Sequence, residues 1–177
     1  MASGGRFSGL LAEYLAAHLQ QLRPQVSAVR DSDRAAASLD LGRRDCAVLF
    51  GFRRYQPDVI AFGQAAAAGG ARVVLVTDPW LSPLAGVASA VLTAQVTAPS
   101  PFDSLVPAPA VVEALIAAVV HELGDAPRDR IAAYDSYWSR RHGSSAGPGS
   151  ARGPGPGPAH RTGTGTASQS GGEHERR

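Results

Sequence analysis

The chain has 177 residues, 44% of them hydrophobic, which is enough for one domain with a buried core. Its formal charge of +2 comes from its end: residues 1–142 hold thirteen Arg against thirteen Asp plus Glu, whereas residues 143–177 hold four Arg against two Glu. A balanced body excludes a strongly basic nucleic-acid surface there. All 17 basic residues besides the five His are Arg, so Schiff-base chemistry and a Walker-type phosphate lysine are excluded. The single cysteine, Cys46, excludes an intrachain disulfide and a cysteine-rich metal site, and its apolar surroundings read as those of a buried, inert thiol.

In chain order, "MASGGRFSG" is a Gly-rich loop entering a helix, with no strand run before it. Leu10, Leu11, Tyr14, Leu15, Leu19 and Leu22 recur at three- and four-residue spacing and predict a helix over 9–22, stopping before Pro24. Short β-branched runs at 26–29, 46–50, 72–76 and 90–96 predict buried strands. Between them lie helical segments at 33–39, at 57–68 with Pro57 in its first turn and Gly69-Gly70 past its end, and at 81–88. A long apolar helix over 107–123 and a more polar one over 127–141 complete the body. Strands alternating with helices predict an α/β fold with a parallel sheet, and residues 143–177, rich in Gly, Pro and Ser, predict a disordered tail. The expected organisation is one domain over 1–142 followed by that tail.

An open parallel sheet binds ligands beyond the carboxyl ends of its strands, so the segments after each run carry the functional information. Ser8 either helps cradle an anion at the start of the first helix or simply caps that helix. Arg53 and Arg54 could grip a phosphate or carboxylate with Tyr55 as a pocket wall, or the three could form a solvated turn. Asp78 satisfies turn amides or touches ligand. Ser82 and Ser104 approach a ligand or start the segments that follow them. The scattered His18, His121, His142, His160 and His174 show no metal-ligand spacing, and no G-x-S-x-G nucleophile elbow occurs. No apolar stretch reaches the roughly 20 residues needed to span a bilayer, and no secretory leader is evident. A soluble cytoplasmic chain is expected.

The succession "GGRFS … AEYLAAHL … DCAVLFGFRRY … AAAAGGARVVLVTDPWLSPLAGVASAVLTAQV … SPFDSLVPAPAVVEALIAAV", over roughly residues 4–141, resembles the sugar isomerase (SIS) domain of RpiR/MurR-type bacterial transcription regulators. The resemblance implies a three-layer, flavodoxin-like, five-stranded parallel sheet that binds a phosphorylated sugar or related metabolite as a dimer. It implies no cofactor, no metal and no catalysis by this chain. DNA would be reached only through a helix-turn-helix domain that this sequence lacks, or through a partner. The family's first strand should lie immediately before Gly4-Gly5, where the sequence gives no sign of one.

The family's phosphate loop, S-x-S-G-x-T, also departs: Gly51, Arg53, Arg54 and Gln56 stand where it has Ser, Ser, Gly and Thr. The hydroxyl role therefore transfers to Ser8, and further to Ser82 and Ser104. Ser8, Arg53, Arg54, Tyr55, Ser82 and Ser104 are the expected ligand-binding residues, for an anionic sugar or sugar phosphate. Two other functions stand beside ligand sensing. One is a sugar-phosphate isomerase, for which Asp103 and Glu113 are the nearby candidate bases. The other is a non-catalytic dimerisation partner of a full-length regulator.

Overall fold

A computed structural model describes residues 1–142 of the chain. The expected disordered tail, 143–177, lies outside the described residues. Four strands form one parallel sheet: β1 (Ala2–Gly4), β2 (Cys46–Gly51), β3 (Arg72–Thr77) and β4 (Ala90–Thr93), lying side by side in that order. The helices are α1 (Gly9–Leu22), α2 (Arg34–Leu39), α3 (Pro57–Ala68), α4 (Pro107–Leu123) and α5 (Arg128–His142).

The register places Gly4 beside Phe50 and Phe50 beside Val76, and Thr77 beside Thr93, so the carboxyl ends of all four strands form one rim.

Alternation along the two central strands sorts the core into two layers. Ala47 and Leu49 of β2 with Val73 and Leu75 of β3 pack against Val59, Phe62 and Ala66 of α3. Phe50 and Val76 face the other way, against Leu11, Ala12 and Leu15 of α1 and Ala108 and Val112 of α4. The result is the expected three-layer α/β sandwich. In α3, Gly63 lies so near the sheet that a Cβ would come within 2.6 Å of Leu49 Cδ1 and Leu84 Cδ2, which is why an otherwise Ala-rich helix has a glycine there.

Several elements differ from the expectation. A first strand is present: Ala2–Gly4 pairs with Val48–Phe50, and the terminal ammonium of Met1 donates to the Cys46 carbonyl at 2.8 Å. Three residues with two small side chains carry no readable alternation. The strand expected over 26–29 is reduced to a single parallel bridge, Ala28 to Ala2, with Ala2 N donating to Ser27 O at 2.8 Å and Val29 N to Ala2 O at 2.7 Å. Its neighbour β1 is too short to extend a longer ladder.

The helix expected over 81–88 is one 3₁₀ turn, Pro83–Gly86, because the Ser82 hydroxyl accepts from Leu84 N and the chain must re-enter the sheet at Ala90. The last strand ends at Thr93 rather than Val96, although Ala94 N still donates to Thr77 O at 2.8 Å. Cys46 is half-buried at the start of β2 rather than fully enclosed.

Leu75 is fully buried at the centre of the α3 layer. Leu75→Ala is expected to lower the unfolding free energy by about 2–5 kcal/mol, read from the midpoint of a urea transition at unchanged slope.

Candidate functional site

The first loop after β1 turns abruptly into α1. Gly5 N donates to Ser8 Oγ at 2.8 Å, and that hydroxyl donates onward to the Phe50 carbonyl at 2.9 Å. Ser8 is thus buried inside the loop, tying the end of β1 to the end of β2. Only glycine fits at position 4, since a Cβ there would meet the backbone carbonyl oxygen of Ser8 at 2.6 Å.

A cleft of about 440 Å³ opens beside this loop, over the carboxyl end of β1. Gly5, Arg6 and Gln56 form one wall, and Glu13, Arg30, Asp31, Arg34 and Asp58 line the rest. Arg34 anchors it. This guanidinium is buried, with Nε donating to Ser3 Oγ at 3.0 Å, Nη2 to the Gly4 carbonyl at 2.6 Å, and Nη1 to both Asp31 and Asp58. Ser3 in turn donates to Val29 O at 2.8 Å. The two carboxylates share one cation and hydrogen-bond to each other, which splits their acidity. The bond with Asp58 raises the pKa of Asp31 against the pull of Arg34. Desolvation alone would raise Asp58 as well, but its bond with Asp31 and the Arg34 charge outweigh that and lower it.

The loops after β2, β3 and β4 are clasped by side chains. Tyr55 OH donates to Asp78 Oδ1 at 2.7 Å, and Trp80 N donates to the same oxygen at 3.0 Å. Burial, reinforced by the hydrogen bond and charge of Asp78, pushes the Tyr55 phenol up to about 12. Asp78 is fully buried, and its Oδ2 has no hydrogen-bond partner among the described residues. Arg53 lies 4.9 Å from the centre of the Trp80 ring and pairs with Asp103 at 3.2 Å, so one cation joins three loops. Beneath them Thr77 Oγ1 donates to the Gly51 carbonyl at 2.5 Å and accepts from Ser82 N at 3.1 Å.

Arg54 has a φ of 65°, in the left-handed region that costs a non-glycine residue roughly 1 kcal/mol. Its side chain is exposed and has no ion-pair or hydrogen-bond partner among the described residues.

The six expected residues therefore divide. Arg53 and Tyr55 come together over β2 and β3, Arg54 stands exposed beside them, and Ser8 and Ser82 are buried in the loop framework. Ser104 accepts from Val106 N at 3.2 Å in the turn leading into α4. None of the six side chains lines the cleft, which is built instead around Arg34, Asp31, Asp58 and Gln56. The Asp31/Arg34 spacing of three was a visible helical ion-pair pattern. Nothing local announced that its arginine would be buried.

No helix among the described residues is long and apolar enough to cross a membrane, and no group of three or more His, Cys, Asp or Glu among them could hold a metal ion.

Comparison with known proteins agrees with this architecture. The sugar isomerase domain of an RpiR transcription factor from Sphaerobacter thermophilus is 27% identical, with a TM-score of 0.67, covering 78% of this chain and 76% of that one. The Vibrio vulnificus NanR protein complexed with ManNAc-6P is 18% identical, with a TM-score of 0.62, over 79% of this chain and 55% of NanR. An Escherichia coli CFT073 protein in complex with arabinose 5-phosphate is 18% identical, with a TM-score of 0.59, over 76% and 74%. A search among curated proteins gave no significant match. The SIS domain family model matches residues 2–118, from the start of β1 well into α4, and the chain belongs to the SIS domain family.

Proposed function

We propose that this chain is a ligand-sensing domain of an RpiR-like transcription regulator that binds a phosphosugar or related anionic carbohydrate derivative. The observation that carries this reading is the cleft at the carboxyl end of β1. It is bordered at Gln56 by a loop bearing two arginines, one of which, Arg54, has its cation uncommitted. A crevice beside β1, where the connections leave for opposite faces of the sheet, is where open α/β sheets accept ligands. Sugar hydroxyls suit the mixed lining of carboxylates, guanidinium groups and backbone, and Arg54 offers charge to an anionic group. Arg53, Tyr55 and Asp78 hold the loop that presents it, with Ser8, Ser82 and Ser104 setting the turns around it.

The 27% identity to an RpiR sugar isomerase domain supports sensing over catalysis. So does the state of the two candidate bases: Asp103 is paired with Arg53, and Glu113 accepts the Tyr14 hydroxyl at 3.2 Å on the far side of α1. The chain works as a cytoplasmic homodimer, and DNA is reached through a helix-turn-helix domain carried by further sequence or by a partner. Phe7 and Leu10 at the start of α1, with Phe102 and Val106 before α4, support self-association, being large apolar side chains left largely exposed.

Three outcomes test this reading. A panel of sugar phosphates and sugar acids should raise the thermal midpoint of the protein, and a flat response across the panel removes the proposal. Turnover of any of these compounds, abolished in Asp103→Ala or Glu113→Ala, would make the protein an isomerase instead.

Arg54→Gly separates charge from backbone. It should leave stability unchanged or raise it by up to about 1 kcal/mol, because glycine accepts the left-handed conformation. Affinity for the anionic ligand should fall about tenfold or more, as for loss of a charge-assisted hydrogen bond. Unchanged affinity would return this stretch to a solvated turn.

Tyr55 gives a pH signature. Its raised phenol pKa means that the Tyr55 contribution to stability is complete below about pH 10 and is lost as pH climbs from there towards about 12. Ultraviolet titration of the four tyrosines should show one late ionisation that is missing from Tyr55→Phe.

A further inference from the structure

Gln56 occupies the N-cap of α3, yet its side chain makes no cap hydrogen bond there. Ser, Thr, Asp and Asn are the residues that satisfy a helix start, and glutamine is a poor choice for that duty. Its Oε1 instead reaches across the crevice and accepts from Arg6 N at 2.6 Å, fifty positions away. It lies so close over the first loop that a Cβ on Gly5 would sit 2.1 Å from it. Gly5, Arg6 and Gln56 all border the cleft.

A residue that gives up a local role for a long-range one points to function at the far end of the contact. The Arg6 amide sits just before the positive end of the fourteen-residue helix α1 and faces the cleft, while its neighbour, Gly5 N, is already taken by Ser8. Such an amide favours an anionic oxygen, and the acceptor it has is the neutral carbonyl oxygen of a carboxamide.

We propose that Gln56 is a displaceable internal stand-in for the ligand's anionic oxygen, and that binding swings its carboxamide off the Arg6 amide. This inference rests on the phosphosugar reading above and deepens it by naming what admits charged ligands. An anionic oxygen, phosphate or carboxylate, outcompetes the carboxamide for the Arg6 amide. A neutral sugar hydroxyl does not, so uncharged sugars are refused at that position. The closed state also taxes affinity, because the resting protein must give up one hydrogen bond before the ligand gains its own.

The test compares the full chain with Gln56→Thr, which can cap α3 and so protects the fold, and with Gln56→Ala. Calorimetric titrations use ManNAc-6P, arabinose phosphate, gluconate, inorganic phosphate and the unphosphorylated sugars. Amide NMR follows Arg6 without ligand. The Arg6 amide resonance should move in both variants. Kd for the anionic compounds should fall about five- to tenfold, the equivalent of one hydrogen bond no longer broken on binding. Neutral sugars should remain unbound.

If wild type binds a sugar phosphate or sugar acid and the variants bind it equally or less tightly, the stand-in role is overturned while ligand sensing stands. If the variants gain neutral sugars as readily as charged ones, added space explains the gain and the stand-in role fails. If neither wild type nor variant binds any compound, both readings fall. The split between phosphate and gluconate identifies which anion the position takes.

Discussion

One buried guanidinium holds the shortest strand of the sheet in place. β1 has three residues, and its ladder with β2 alone fixes only that much backbone. Arg34 adds bonds to the Gly4 carbonyl and to Ser3 and ties both to Asp31 and Asp58, so the end of β1, the segment after the Ala28 bridge and the start of α3 share one cation. A buried arginine is tolerable only when its donors are satisfied, and here the partners are carboxylates, a hydroxyl and a carbonyl. Every other feature of the cleft depends on where Gly4 and Gly5 stop. The position of α1, the aim of the Arg6 amide and the spacing to Gln56 all follow from it.

The opposite side of the rim is organised by a different economy of charge. Arg53 spans the loops after β2, β3 and β4 through one aromatic face and one carboxylate, while Tyr55 spends its hydroxyl on the buried Asp78. The two arginines that adjoin in sequence thus have unequal freedom: one is structural, and the other, held at a left-handed φ, is open.

Much of the frame was legible in the sequence, because α1, α3, α4, β2 and β3 have long or strongly patterned runs whose local preference agrees with their burial. Ala47, Leu49, Val73 and Leu75 were expected to be buried and are. The unreadable parts are those set by contacts distant in the chain. Ala2–Gly4 looks like a loop because Ser3 and Gly4 have little strand preference; it becomes a strand by lying beside Val48–Phe50. Arg34 looks like an ordinary surface residue of a short helix, and its burial follows from the approach of Asp58, twenty-four positions on. Gln56 was identified only as a missing hydroxyl, whereas its reach to Arg6 required the tertiary fold. The resemblance to a known family supplied the topology and the general place of ligand binding, but the lining of the cleft had to come from coordinates.

The sheet's two margins are both abbreviated. On one side β4 offers four residues, and on the other the chain touches β1 through a single bridge at Ala28. A strand from another molecule added to either margin would gain few backbone hydrogen bonds, so edge-to-edge growth is poorly rewarded. That restraint protects a parallel sheet that would otherwise invite templated polymerisation, and it leaves helical faces as the productive route for one chain to meet another.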